Sequence, residues 1–319
     1  MRFTTLITEG EYSPKAVAMY KSLGQVFFWH KLNKNQKQKL LSRADILAVG
    51  LSLNLDKNFL SRAKNLKVIA TNTTGLNHID MAYAAKRGIK VISLRGRTSF
   101  LKNIPSTAEE TFALILALVR NLPWAFWDVV DAGRWNRMLW RGRQLHKKTI
   151  GLLGFGRLGK IVAKYARAFG MRVLASDPYV SKKEMEKRGV GKVKMEEVFK
   201  KSDIVSLHVL LTDDVYNLVK EKHLRMMKRF AYLINTARAE LIEKNALWKA
   251  LKNKWIAGAA IDVMWDEEPT GAHLKRDPLA SYAKTHKNLI ILPHVGGATF
   301  EAMEVTQDFI AELVVKHFK

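Results

Sequence analysis

Two sets of residues in this 319-residue chain are placed to do chemistry. The first is a glycine-spaced turn. Gly154, Gly156 and Gly159 stand at G-x-G-x-x-G spacing, directly after the apolar run Ile150, Leu152 and Leu153. A helical run follows, with apolar residues at 158, 161, 162, 165 and 169, and Gly170 ends it. In such a turn the first glycine makes the tight bend, the second lets a pyrophosphate approach the backbone, and the third lets the helix pack on the sheet. The pyrophosphate sits at the helix N-terminus, where free N–H groups and the dipole favour an anion. A second apolar strand (Met171, Val173, Leu174) then ends in Asp177. A carboxylate there accepts hydrogen bonds from both ribose hydroxyls and repels a 2′-phosphate, so the pattern predicts NAD(H) over NADP(H). A glycine-rich turn that binds nothing is the plainer alternative. Strand, helix, second strand and acid in the required order argue against it.

The second set follows later strands. Apolar runs at 204–209, 232–235, 257–263 and 289–292 read as strands, and each ends in polar residues. Asn235-Thr236-Ala237-Arg238 ends one, Asp262 and then Glu267 end or follow another, and Pro293-His294 ends the last. The carboxyl ends of parallel strands share one edge of a sheet, which is also where a dinucleotide binds. Arg238, the acids and His294 therefore converge there. Singly, each has a blander reading: a surface ion pair, a solvated glutamate, a satisfied strand-end histidine. The cofactor contacts expected at this edge are Gly154, Phe155, Gly156, Arg157, Leu158, Gly159 and Asp177, with Thr107, Thr212, Thr236, Ala237 and Asp262 beside them.

The elements before residue 100 alternate in the same way. Strands are expected at 3–8, 26–29, 44–49, 66–70 and 91–93, with helices at 14–23, 34–43 and 58–64. Strands alternating with helices argue a parallel α/β sheet. The small-residue stretch 71–80 follows one strand and reads either as an anion-binding loop or as a plain turn. Residues 93–107 read as a linker, and Ser106 or Thr107 as the N-cap of an apolar helix 108–120, with Glu109 and Glu110 as first-turn acids. Residues 123–148 hold Trp124, Trp127, Trp135 and Trp140 among arginines 134, 137, 141 and 143. That mixture suits a subunit interface, here a homodimer, or buried core. A last helix over 299–318 returns to the first domain. The fold class is therefore α/β, with two Rossmann-like, doubly wound parallel-sheet domains. Residues 1–102 plus 295–319 form a discontinuous, flavodoxin-like substrate domain, and 103–294 form the NAD-binding domain.

Composition bounds the rest. Hydrophobic residues make up 48% of the chain, no run of 18 apolar residues suggests a membrane span, and the first residues lack a signal-peptide core. There are no cysteines, which removes thiolate nucleophiles and Cys-ligated zinc, and fits a cytoplasmic protein. No metal site is expected. The net charge is +25, from 54 basic and 29 acidic residues. The basic residues are spread along the chain and form no recognisable nucleic-acid module, so no specific nucleic-acid binding is expected.

Six ordered segments carry a family resemblance: 73–80 (TTGLNHID), 106–110 (STAEE), 154–159 (GFGRLG), 235–242 (NTARAELI), 262–269 (DVMWDEEP) and 293–299 (PHVGGAT). With these, the chain resembles the D-isomer-specific 2-hydroxyacid dehydrogenases over essentially its whole length. The resemblance implies a catalytic trio on Arg238, Glu267 and His294. It also implies backbone amides near Thr74, Gly75 and Leu76 that cradle the substrate carboxylate. The implied activity is NAD-dependent interconversion of a small D-2-hydroxyacid and its 2-keto acid. Histidine would move the hydroxyl proton, glutamate would support the imidazolium, and arginine would hold the carboxylate and polarise the carbonyl. An NAD(H)-sensing binding protein on the same fold is the alternative.

The chain departs from the family pattern in several places. Ala239 stands where a glycine is usual after the arginine, a strain if that position needs positive φ. Either Glu267 or Glu268 satisfies one of the family's two spacing rules, and Glu267 is the expected partner of His294. Leu210 replaces a common proline, and the chain stops soon after the last helix. The linker 94–105 is about five residues longer than usual by that resemblance, and it carries Arg95, Arg97 and Lys102. These suggest either a second anion subsite or a solvated basic hinge.

Overall fold

Four-residue runs such as Ile46–Val49 and Val68–Thr71 are buried at every position. That is the pattern of a parallel strand covered on both faces. The computed structural model of the chain, which describes residues 3–268 and 270–319, shows this throughout. Among the described residues every paired strand runs parallel, in two sheets. The chain divides into two compact units, Met1–Ile104 with Ala298–Lys319, and Pro105–Gly297.

The first unit holds β1 (Phe3–Ile7), β2 (Gly24–Phe28), β3 (Ile46–Val49), β4 (Val68–Thr71) and β5 (Lys90–Ser93). They lie in the order β2-β1-β3-β4-β5, the flavodoxin-like order. Its helices start on side-chain caps: Ser13 accepts from Ala16 N–H, Asn33 and Gln36 form a capping box, and Asp56 and Asp80 accept from the third N–H of their helices. The last helix, Phe300–Phe318, buries Ile310, Ala311 and Val314 completely in the same cluster as Ile7, Ala48 and Ala70. Full burial of an Ile or Val side chain is worth roughly 1.5–3 kcal/mol. The final helix is thus part of this unit's core, and the unit is discontinuous in sequence.

The second unit holds β6 (Thr149–Leu153), β7 (Arg172–Ser176), β8 (Val190–Lys192), β9 (Ile204–Leu207), β10 (Tyr232–Asn235), β11 (Gly258–Ile261) and β12 (Leu289–Ile291). The order is β12-β11-β10-β9-β6-β7-β8. The chain winds outward from β6 through β7 to β8, then restarts at β9 on the other side of β6. The switch point therefore lies between β6 and β9, and the glycine turn follows β6. This is the crevice where doubly wound sheets bind ligands.

The expected fold class holds, and the differences are local. Unit boundaries fall after residues 104 and 297, against the expected 102 and 294. Residues 295 and 296 stay with the second unit because their N–H groups donate to Asp262. The helix expected at 108–120 starts at Ser106 on an uncapped Pro105, so neither Ser106 nor Thr107 is the N-cap. The linker is not bare coil, since it holds a short helix at Thr98–Leu101. The helix Met81–Lys86 and the three-residue β8 were not anticipated. Both are too short to show periodicity, and β8 contains Gly191.

The Trp/Arg segment is neither plain core nor plain coil. The helix Leu122–Val130 exposes Leu122, Phe126, Trp127, Val129 and Val130. Its buried Asp128 accepts from Trp140 Nε1 at 2.9 Å and pairs with Arg134, which ties the following loop back to the helix. Trp135 is 91% exposed. No single helix among the described residues is long and apolar enough to cross a membrane.

Candidate active site

The glycine turn has the shape its spacing predicts. Gly154 sits at φ 88°, and a Cβ there would lie 2.5 Å from the His208 carbonyl oxygen. At Gly159 a Cβ would lie 2.4 Å from the Gly154 carbonyl oxygen, so the helix Arg157–Ala168 starts pressed against the turn. Both clashes are with backbone and have no cheap relief. At Gly156, by contrast, a Cβ would meet nothing within 4 Å. No side chain caps this helix, so the donors of its first turn have no side-chain acceptor at the N-cap. A closely packed turn with an open middle glycine and an uncapped helix suits a pyrophosphate.

Asp177 lies just past β7. Its Oδ2 accepts from Phe155 N–H at 2.8 Å and its Oδ1 from Tyr179 N–H at 2.8 Å. The acid therefore also braces the glycine turn, a role its spacing did not reveal. Phe155 is fully buried, and Leu158 packs against the same core. Burial lowers the pKa of the Arg157 guanidinium from its ordinary value. Across the switch point, burial pushes the His208 imidazole down to about 4, so it is neutral beside Ser206 Oγ at 2.9 Å. Thr212 opens a short 3-10 turn after β9. Beyond β10, Ala237 N–H donates to Asn235 Oδ1 at 3.0 Å.

Asn235 shapes the turn that presents Arg238, because its Nδ2 also donates to the Arg238 carbonyl at 2.9 Å. Ala239 is not at positive φ, and it opens a 3-10 turn, so the missing glycine costs no strain. Arg238 Nη1 donates to the Ala237 carbonyl at 2.7 Å and stands 3.5 Å from His294 Nε2. His294 Nδ1 meets Glu267 Oε2 at 2.7 Å. The carboxylate accepts, so Nδ1 carries the proton and Nε2 is left facing Arg238. Glu267 Oε1 accepts from Met264 N–H at 2.8 Å. Glu268 instead pairs with Arg276 at 3.1 Å, so Glu267 is the acid that reaches His294.

Electrostatics match this geometry. Burial would raise the Glu267 carboxyl, but the His294 hydrogen bond and charge, the Met264 N–H and Arg238 outweigh it and leave it lowered. Burial lowers the Arg238 guanidinium, against the pull of Glu267, Glu240 and Asp262, and it remains a cation. His294 itself has φ 57°, in the left-handed region that non-glycine residues seldom occupy. Asp262 holds that bend: Oδ1 accepts from Val295 N–H at 2.7 Å and Oδ2 from Gly296 N–H at 2.9 Å.

Residue types and spacing gave no hint of Glu110 here. A Cβ on Gly296 would lie 2.3 Å from Glu110 Oε2, 3.0 Å from Asp262 Oδ2 and 3.1 Å from Thr107 Cγ2, so these groups crowd one spot. Thr236 is buried, and its Oγ1 shares a 2.8 Å hydrogen bond with Thr111 Oγ1.

In the first unit, the loop after β4 carries Thr74, Gly75 and Leu76. Thr73 Oγ1 donates to the Gly75 carbonyl at 2.8 Å, and Leu94 N–H donates to the Thr73 carbonyl at 3.1 Å. The N–H groups of residues 74–76 have no protein acceptor among the described residues. Leu94–Arg97 form a tight turn closed by Arg97 N–H on the Leu94 carbonyl at 3.0 Å, with Gly96 at φ 78°. The exposed guanidinium groups of Arg95 and Arg97 meet no acid among the described residues.

The seven-stranded order, the glycine turn at its switch point and Asp177 define a dinucleotide-binding domain. The family described as D-isomer specific 2-hydroxyacid dehydrogenase, NAD binding domain, matches residues 112–296. The chain is 34% identical to the glyoxylate reductase of Thermococcus litoralis over 313 residues, covering 95% of this chain and 90% of the relative. It is 34% identical to the D-3-phosphoglycerate dehydrogenase of Methanocaldococcus jannaschii over 302 residues, 94% of this chain but 55% of that longer protein. The crystal structure of a D-lactate dehydrogenase from Aquifex aeolicus, complexed with NAD and lactic acid, superposes with a TM-score of 0.81 at 29% identity, covering 99% of this chain and 95% of the other. The chain belongs to the D-isomer-specific 2-hydroxyacid dehydrogenase family. It is an NAD-dependent oxidoreductase of that family.

Proposed function

We propose that the protein reduces a small 2-keto acid to its D-2-hydroxyacid, and catalyses the reverse, with His294 as general acid and base. The observation that carries this reading is the chain Glu267 Oε2, His294 Nδ1, His294 Nε2, Arg238 Nη1, at 2.7 Å and 3.5 Å across its two contacts. In reduction His294 Nε2 gives a proton to the keto oxygen, and in oxidation it takes the hydroxyl proton back. Glu267 fixes the ring and supports its protonated form. Arg238 offers a planar fork to the carboxylate and polarises the carbonyl. By the same family resemblance, the free N–H groups of Thr74, Gly75 and Leu76 would donate to a carboxylate. NAD(H), when bound, supplies or accepts the hydride at C2. Gly154 to Gly159 and Asp177 would hold its pyrophosphate and ribose, and Thr107, Thr212, Thr236, Ala237 and Asp262 would line the rest. The test is NADH consumption by the purified protein against a panel of 2-keto acids. Turnover of at least one supports the reading, and tight NADH binding with no turnover on any sinks it.

The substrate is small, in keeping with the relatives named glyoxylate reductase and hydroxypyruvate reductase. Arg95 and Arg97 favour a substrate with a second anionic group, because their charges are unmatched and exposed. Replacing both by alanine is expected to raise KM about tenfold for a phosphorylated or dicarboxylate keto acid, and to leave glyoxylate nearly unchanged. Equal effects on both substrates refute this part.

The exposed apolar face of Leu122–Val130 suits a second copy of this chain, so the proposed working form is a homodimer. A stable interface needs about 800 Å² from each partner. Light scattering on the purified protein should give twice the chain mass, and a Phe126→Asp and Trp127→Asp double variant should give the monomer. A monomeric wild type refutes it.

A further inference from the structure

Glu110 stands in the wall of this site with no partner suited to an anion. Among the described residues neither of its buried carboxyl oxygens finds a hydrogen-bond donor. Its neighbour is the carboxyl of Asp262, so two acceptors face each other. Asp262 is 1% exposed and already accepts two backbone N–H groups. Two ionised carboxylates in contact, one with no donor at all, repel one another strongly. A single proton between them removes the conflict. The two N–H bonds favour the ionised form of Asp262, so the proton belongs on Glu110.

We propose that Glu110 is a positioning residue that acts as a neutral acid, donating its proton to Asp262 so that Asp262 holds the backbone behind His294 in its left-handed bend. Asp262 takes the N–H groups of the two residues that follow His294. Loss of the Glu110 proton sets the carboxylates against each other, and the 295–296 backbone is the element free to yield. The charged groups that act on the pair come from three elements. Asp262 itself follows β11, His294 follows β12 and favours the Asp262 anion, and Arg238 follows β10 and interacts with Asp262. On its own helix, Glu109 acts instead on Tyr165 of the helix Arg157–Ala168.

The titration of Glu110 supports this. Burial first, and then the Asp262 charge and hydrogen bond, raise its carboxyl from 4.5 to about 8. Its proton is present in the folded protein at neutrality and absent in the unfolded chain. The stability it contributes is therefore complete below 4.5 and is lost as pH rises through about 8.

The experiment compares wild type with Glu110→Gln, which keeps a donor, and Glu110→Ala, which does not. Infrared titration of wild type should show a protonated carboxylic acid at neutral pH that disappears near 8 and is missing in Glu110→Gln. The wild-type thermal midpoint should fall across that range, and the Glu110→Gln midpoint should not. At neutral pH Glu110→Gln should keep near-normal kcat/KM, and Glu110→Ala should lose about tenfold. This last arm rests on the role proposed for His294. Its alkaline limb should involve two protons in wild type and one in Glu110→Gln. No protonated carboxyl in wild type at neutral pH overturns the proposal, even if both variants fail to fold. A one-proton limb in both proteins overturns the link to His294. Absence of any turnover in wild type counts against the function proposed above, while the infrared result still decides the state of Glu110.

Discussion

Replacing His294 by alanine should lower kcat for 2-keto acid reduction about a thousandfold and leave NADH affinity almost unchanged. A positioned acid–base group contributes roughly 10²–10⁴ in rate. The middle of that range suits this site, because the ring is held through Nδ1 and through the backbone that follows it. Glu267 grips Nδ1 at 2.7 Å, and Asp262 holds the two backbone N–H groups that follow. Nε2 thereby faces Arg238 Nη1, 3.5 Å away. The glycine turn and Asp177 do not touch the ring, so cofactor binding should survive. Steady-state kinetics with a parallel NADH fluorescence titration check both halves. Equal losses of turnover and NADH affinity would mean that His294 shapes the fold of the site rather than moving a proton.

Replacing Arg238 by alanine should cost kcat/KM about a thousandfold, roughly 4 kcal/mol, the scale of removing one partner of a desolvated charge pair. Much of the loss should appear in KM, because a carboxylate is held before as well as during the reaction. Lysine keeps the charge but loses the fork. Arg238→Lys should therefore recover only a small part of the activity. Arg238 is well suited to this task, being a partly buried cation whose backbone is fixed by Asn235. Full activity in Arg238→Lys would show that charge alone suffices, and would contradict a two-point grip on the substrate.

The parts of the site that could be read in the sequence are those where chemistry demands a residue type at a fixed distance. Gly154 and Gly159 leave no room for a Cβ against the backbone they touch, while Gly156 faces open space. Arg238, Asp262 and His294 each follow a strand of one parallel sheet, so their common edge followed from strand order alone. What could not be read depends on turns. The choice between Glu267 and Glu268 hangs on the bend at Asp266, which has φ 56°. The consequence of Ala239 hangs on a backbone angle that no residue type reveals. Glu110 looked like an ordinary first-turn acid beside Glu109. It became visible only when the helix, Asp262 and Gly296 were seen around one spot. The linker helix Thr98–Leu101 and β8 were missed for a simpler reason, since three or four residues cannot display a period.

The most direct test of the central claim follows the reaction at C2 of the substrate. Wild-type protein is incubated with a prochiral 2-keto acid such as pyruvate or hydroxypyruvate and with NADH deuterated at C4, and the 2-hydroxyacid formed is analysed for configuration and label. The expected product is a D-2-hydroxyacid carrying deuterium at C2, formed in step with NADH loss. An L-configured product, or a bound cofactor that no 2-keto acid consumes, would contradict it.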